Sequence, residues 1–347
     1  FLPGLVILGG WLVFFRVKSR PFALTMLVLL AGLMGLGGQF GMHKLYRWTT
    51  DRNIPGGYVS TDPTVSKTSI GSLGRIKQSP EMLWRIKPLK AAKPPRLLRL
   101  ASYNSYYRTS WKNELPKDLA ETLDEAGSDF RSLGIMEQEG GDPHYLMREK
   151  MTGSDLLKPR PSFRLRGASR SEAPLPLPGS ASSIRGSEFD DYEINPLGTV
   201  RISPKRSIIE GDVRWGDQTA PESPPWPEQD LAINKLEIET VQETARLLGL
   251  HSLPTTASKV SRINQWFQDG FTYTRYLTIG RARMAKPTAI GTFLTNSKRG
   301  HCEYFATAAT LLLREAGVPA RYCVGYAVME KDAERNEYII RGLHGHA

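Results

Sequence analysis

The sequence predicts an α+β protein behind a membrane-spanning start. Three observations carry this. Between residues 60 and 215, short apolar and aromatic runs are broken repeatedly by Gly and Pro, the pattern of strands. After residue 230 the apolar spacing changes to that of helices. The last helical run is followed by two extended stretches, which place helices and antiparallel strands in succession.

Taken in order, residues 1–15, "FLPGLVILGGWLVFF", and residues 21–42, "PFALTMLVLLAGLMGLGGQFGM", are too apolar for a soluble surface. At about 1.5 Å per residue the second can cross a hydrocarbon core of roughly 30 Å. Two such runs joined by the basic "RVKSR" read as a transmembrane hairpin, the end of a longer membrane region. Gly32, Gly35, Gly37 and Gly38 allow close helix approach. Arg16, Lys18 and Arg20 favour a cytoplasmic turn. Everything after Met42 then lies outside the cytoplasm, although Lys44, Arg47 and Arg52 argue partly the other way. Phe1 opens inside an apolar run and Ala347 closes inside an extended one, so both ends read as cut from a longer protein.

The 347 residues carry a formal charge of +11 and two cysteines. The charge suits anionic lipid or wall polymer as well as nucleic acid. With no zinc-finger spacing, helix-turn-helix signal or P-loop, nucleic acid is not an expected partner. The lipid bilayer and a protein or peptide substrate are. Two cysteines make no disulfide framework.

Residues 43–215 read as a β-rich extracytoplasmic domain. Its strand signals are "TSIGSLGRIKQSPEMLWRIKP", "PRLLRLASYNSYYRTSW", "SFRLRG", "GTVRIS" and "SIIEGDVRW". The stretch "APLPLPGSASS" is expected outside any sheet centre, because Pro lacks the ladder donor. Residues 216–230 read as a linker, and residues 231–347 as a second, helix-led domain.

In that domain Val241, Ala245 and Leu248 share one helix face. Val260, Ile263 and Phe267 share another, with Thr256 or Ser258 expected to cap the start and Gly270 the stop. "CEYFATAATLLLREAG" places Phe305, Ala308, Ala309 and Leu312 on an apolar stripe ending at Gly317. "VPARYCVGYAVME" and "NEYIIRGLHGHA" read as the two strands of a hairpin.

Cys302 stands at the start of the last helix. A thiol becomes a nucleophile when ionised, and a helix N-terminus, a nearby cation or a partner base favours that. Gly300 permits close backbone approach, and opening-turn N–H groups can hold an oxyanion. His346 is the candidate base. His344, two residues earlier in a strand, is expected on the same side as a runner-up. His301 flanks the nucleophile in a possible supporting role. The plainer alternative makes Cys302 a small buried residue. Cys323 reads as strand packing, and a Cys302–Cys323 bridge would block the nucleophile. Arg314 and Arg321 read as partners of acidic groups or helix-end carbonyls. His301, Cys302, His344 and His346 are metal-ligand types, but their spacing matches no zinc finger or ribbon. No metal or cofactor is expected.

The stretch "FLTNSKRGHCEYFATAATLLLREAGVPARYCVGYAVME" with "RGLHGHA" resembles the transglutaminase-like superfamily. The matching positions are Gly300, Cys302, Phe305–Ala306, Arg314, Gly317–Arg321, Gly325–Tyr326 and His346–Ala347. The membrane runs and the β-rich stretch with "LPLPG" and "NPLGTVRI" are similar to the multi-span bacterial branch, whose core lies outside the cytoplasm. The resemblance implies a papain-like core, with one helix packed on an antiparallel sheet and a Cys-His-Asp triad. Cys302 would be nucleophile and His346 base, forming a thioester from a glutamine-type amide, with no cofactor. No residue here matches the triad Asp, which the resemblance places beyond Ala347, so the chain as given is expected to be an incomplete core and inactive alone. Cysteine peptidase or amidase chemistry, or a non-catalytic membrane scaffold, are the alternatives.

Overall fold

A computed structural model of the chain describes residues 67–70, 79–90, 92–126, 129–133, 135–136, 144–147, 160–168, 173–186, 189–216, 221–274 and 287–347. The two apolar runs read as a transmembrane hairpin lie outside the described residues. Among the described residues, no helix is long and apolar enough to cross a membrane. The described residues all belong to one compact unit.

The strands that matter for the site are β1 (Met82–Leu89), β2 (Leu97–Tyr103), β3 (His144–Leu146), β4 (Ser162–Ala168), β5 (Ala181–Arg185) and β6 (Ile208–Trp215). Helices α1 (Ile238–Leu247) and α2 (Thr256–Gly270) follow. Then come β7 (Thr272–Tyr273), β8 (Arg299–Gly300) and α3 (Cys302–Glu315). Strands β9 (Tyr322–Ala327), β10 (Glu330–Asp332), β11 (Glu337–Arg341) and β12 (Gly345–His346) close the chain.

The largest sheet runs β10-β11-β1-β4-β6-β5-β3, with residues 135–136 on its far edge. Its strands alternate. Trp84, Ile86, Phe163, Leu165, Ile184, Ile209 and Val213 are buried on one face. The intervening Arg164, Glu210, Asp212 and Arg185 pair across the other face, with Arg164 Nε 2.7 Å from Asp212 Oδ1 and Arg185 3.0 Å from Asp212 Oδ2. Burial opposes ionisation of Asp212, yet the two arginine hydrogen bonds win and hold its carboxyl below the usual range. Strand β5 lies inside this sheet, which corrects the expectation for "APLPLPGSASS". The proline restriction applies to residues 174–178 and stops before Ala181.

The segments on either side of residues 216–230 are hydrogen-bonded to each other. β2 pairs antiparallel with β9, and β1 with β11. The end of the proline-rich stretch is itself pinned to the core. Arg321 donates to the Ser223 and Pro224 carbonyls, both at 3.1 Å, and to the fully buried Asp230 at 2.8 Å.

The helices follow the apolar spacing. Val241 and Ala245 on α1, and Ile263 and Phe267 on α2, are buried, whereas Val260 is exposed. The α2 cap is Thr255. Its Oγ1 accepts the Ser258 N–H at 3.1 Å, and the Ser258 hydroxyl accepts the Thr255 N–H, so the expected cap Ser258 is instead the partner in a capping box. Helix α2 stops at Gly270 as expected.

The C-terminal hairpin forms in two parts, β10 pairing with β11 and β9 with β12, while β9 also pairs with β2 and β11 with β1. Between β11 and β12 the chain makes a single 3-10 turn at Gly342–His344. That turn carries the chain from one sheet to the other.

Candidate active site

The site is assembled at the start of α3. Gly300 is packed so closely that a Cβ would meet the Phe293 ring and the Tyr304 Cβ at 2.9 Å. His301 is extended, with φ −102° and ψ 179°, and Cys302 takes the first helical position. There the N–H groups of the opening turn point out of the helix end, and the helix dipole favours negative charge. Cys302 is buried, with 3% of its surface exposed. Both cysteines are free thiols.

His346 reaches the site through sheet register. Gly325 on β9 is paired with His346 on β12, and β9 shifts register beside β2 at that point. A Cβ on Gly325 would lie 1.8 Å from the Leu98 carbonyl oxygen. No side chain fits there, so this glycine lets β9 lie between β2 and the strand that carries the histidine.

Cys302 and His346 line one cavity of about 450 Å³. Its remaining wall is largely aromatic: Phe267 and Phe271 from the end of α2, Tyr273 from β7 and Phe305 from α3. These rings interlock, Phe267 meeting Phe305 edge-on at 5.2 Å and Phe271 at 5.1 Å. Tyr273 is brought in by the parallel pairing of β7 with β8, which sets it beside Gly300. Sequence reasoning placed Phe267 on an apolar stripe and did not assign Phe271 or Tyr273 to a site. The aromatic density of "WFQDGFTY" was the available signal.

The Nδ1 atom of His346 lies 2.7 Å from the Ala347 carbonyl oxygen. A carbonyl only accepts, so Nδ1 carries the proton in that bond and the basic nitrogen of the neutral ring is Nε2. His344 does not share this setting. The 3-10 turn interrupts the strand, so the alternation expected to place both rings on one side fails. His344 is buried, its Nδ1 accepts the Arg341 N–H at 3.1 Å, and its Nε2 is 3.5 Å from Glu330. It does not line the Cys302 cavity.

His301 sits beside Cys302. Its Nδ1 is 3.2 Å from a carboxylate oxygen of Glu303, which is fully buried, and its ring meets Tyr304 edge-on at 5.0 Å. Behind the site, Tyr322 is buried on β9, and its phenol is held well above its ordinary pKa, first by burial and then by Glu303 and Cys302. It stacks on Trp111 at 5.0 Å, and the Trp111 indole N–H donates to Thr307 on α3 at 2.9 Å. Cys323 is half-buried on the other side of β9, with its sulfur 3.4 Å from the Ser102 hydroxyl. Among the described residues, no cluster of three His, Cys, Asp or Glu side chains is arranged to hold a metal ion.

The far end of α3 is an anchor. Arg314 is 3% exposed and donates to the carbonyls of Asn104, Ala232 and Ala320 at 2.6–2.9 Å. Burial lowers its pKa to about 10, with the Asp230 charge opposing. It remains a cation at neutral pH. Lys259 of α2 caps the same end by donating to the Ala316 carbonyl at 2.7 Å.

Residues 246–347 match the transglutaminase-like superfamily. No curated protein matches the chain in sequence. Two solved structures of the periplasmic domain of TgpA from Pseudomonas aeruginosa are similar in fold, each with a TM-score of 0.57 at 17% identity. The one bound to ethylmercury covers 81% of this chain and 88% of its own, and the other covers 84% and 88%. The likeness therefore extends beyond the matched segment into the β-rich part. At this identity it is a likeness of fold.

Proposed function

We propose that the cavity at the start of α3 is an acyl-transfer site, with Cys302 as nucleophile and His346 as general base. The observation that carries the reading is that the buried thiol and the imidazole line one cavity, the thiol at a helix start and the imidazole with its basic nitrogen on Nε2. The superfamily match over residues 246–347 supports it.

The steps balance. The Cys302 proton passes to His346 Nε2, and the sulfur attacks the carbonyl carbon of a glutamine side-chain amide. Main-chain N–H groups at the start of α3 would hold the developing oxyanion. The imidazolium returns the proton to nitrogen, the C–N bond breaks, ammonia leaves and a thioester remains. A primary amine then attacks that carbonyl and gives its proton to Nε2. The C–S bond breaks, an isopeptide bond forms and the thiolate recovers its proton. Water in place of the amine gives hydrolysis. His301 would support the nucleophile through its contact with Glu303, and no cofactor takes part.

The proposal sets this unit outside the cytoplasm, tethered to the membrane by residues 1–42. The fold neighbours are periplasmic domains, and the basic turn at Arg16–Arg20 favours the same side.

The test uses the full-length protein in detergent with a glutamine protein and a fluorescent primary amine, following amine incorporation, ammonia release and peptide cleavage in parallel. Incorporation with ammonia release, abolished in Cys302→Ala, supports transfer. Ammonia release without incorporation, or cleaved peptide, assigns amidase or peptidase chemistry to the same pair. Activity that survives Cys302→Ala refutes the proposal, and a protein inert in all three assays is a scaffold.

A further inference from the structure

We infer that the aromatic wall beside Cys302 is a binding groove for a peptide whose reacting glutamine is flanked by aromatic or branched aliphatic residues. The inference rests on the acyl-transfer reading for the identity of the reacting residue, and on the cavity itself for the flanking preference.

The first support is volume. If each non-hydrogen atom takes about the 30 Å³ of a liquid water, the five side-chain atoms of glutamine fill about 150 Å³. The cavity measures about 450 Å³. The space left is that of at least one further large side chain.

The second is the chemistry of the wall. Among the described residues that line the cavity there is no Asp, Glu, Lys or Arg. Phe267, Phe271, Phe305 and Tyr273 face it, and Tyr273 is 53% exposed at its edge. A carboxylate entering this wall loses hydration without gaining a partner, and the Phe271 ring already lies under Lys298 Nζ at 5.9 Å, whereas an apolar side chain gains about 25 cal/mol per Å² removed from water.

The third points to a polypeptide occupant. Asn264 and Gln268 are four residues apart on α2, so they stand one turn above each other on the same helix face, and both line the cavity and are exposed. Each offers an amide donor and an amide acceptor, the two groups that an extended main chain presents in alternation. Phe267 on the adjoining face and Phe271, the extended residue that follows the helix, supply rings beside them. The end of α2 thus offers amides for a backbone and rings for side chains.

The experiment uses five labelled peptides identical except for the two residues flanking the glutamine, which are Phe, Leu, Gly, Glu or Lys. Binding is read by fluorescence anisotropy on the full-length Cys302→Ala protein, which cannot turn over. The Phe and Leu peptides are expected to bind about tenfold or more tighter than the Gly peptide, with Glu and Lys no tighter than Gly. Tyr273→Ala is expected to weaken the Phe peptide about tenfold and leave the Gly peptide unchanged. Ala309→Glu, which sets a carboxylate in the same wall, should make the Lys peptide the tightest. Binding of all five peptides within about twofold of one another overturns the inference.

Turnover of the same peptides by the unsubstituted protein separates the two claims. A binding preference without Cys302-dependent ammonia release keeps the groove and removes the acyl-transfer reading. Ammonia release without a preference keeps the reaction and removes the groove.

Discussion

The two ends of α3 use the same fourteen-residue helix for opposite purposes. At the C-terminal end each guanidinium nitrogen of Arg314 donates to a main-chain carbonyl, and Lys259 donates to the Ala316 carbonyl. At the N-terminal end a buried thiol at the edge of the core lines a cavity, and an exposed imidazole lines the same space. One end is saturated and ties together residues 104, 232 and 320, which are far apart in sequence. The other places Cys302 and His346 on the wall of one cavity. The lesson is that a single helix can be fixed by main-chain hydrogen bonds at one end while its other end lines open space.

Breaking the reactive end should produce the largest effect. Cys302→Ala is expected to lower acyl transfer by about 10⁴-fold or more while moving the urea midpoint by no more than about 1 kcal/mol equivalent. Breaking the anchored end should reverse that profile. Arg314→Met strands the buried Asn104 carbonyl and removes the bonds to the Ala232 and Ala320 carbonyls, and is expected to cost about 3 kcal/mol in denaturant unfolding. If Arg314→Met abolished turnover with unfolding unchanged, the division between the ends would be wrong.

Gly325→Ala lies between these cases. The added Cβ collides with the Leu98 carbonyl, so β9 must shift, and His346 moves with its paired strand. A stability loss of about 2 kcal/mol or more is expected, together with a turnover loss that is not recovered at low temperature where the variant is folded. Full activity in the cold would show that register at Gly325 does not place the histidine.

A smaller effect separates the site from its supports. Glu237 is fully buried, with one oxygen accepting from the Thr288 hydroxyl at 2.6 Å and the other without a hydrogen-bond partner. Burial raises its carboxyl pKa, opposed by the Thr288 bond. A raised folded-state value means the stability it contributes is present at acidic pH and is lost as pH rises through that value. Relative to Glu237→Gln, the unsubstituted protein should therefore lose stability from pH 4 to pH 7, read as a shift in urea midpoints. A constant offset across that range would contradict the buried, weakly partnered acid. The smallest effect is Thr255→Ala, expected to cost about 1 kcal/mol through the lost cap of α2, with peptide preference unchanged.

Part of the cavity lining was legible in the sequence because it falls at local features. A cysteine after Gly-His at a helix start, and a histidine in a late extended run, identify themselves locally. The helices were legible through Val241, Ala245, Ile263 and Phe267, whose spacing is that of one buried face. What escaped was non-local. Nothing near Leu97–Tyr103 announces pairing with a strand more than two hundred residues later, so the β-rich part read as separate. His344 was misplaced because a three-residue 3-10 turn leaves no apolar period to detect. Tyr273 was missed because only its parallel pairing with Gly300, through a segment distant in sequence, brings it to the wall.

The most direct measurement is to trap the intermediate. The full-length protein is mixed with a glutamine peptide in the absence of added amine, quenched in acid and digested, and its cysteine-containing fragments are weighed by mass spectrometry. The account predicts a hydroxylamine-sensitive adduct on the Cys302 fragment, heavier by the peptide less one ammonia, and strongly reduced in His346→Ala. An adduct on Cys323, or one that forms equally well without the imidazole of His346, would contradict it.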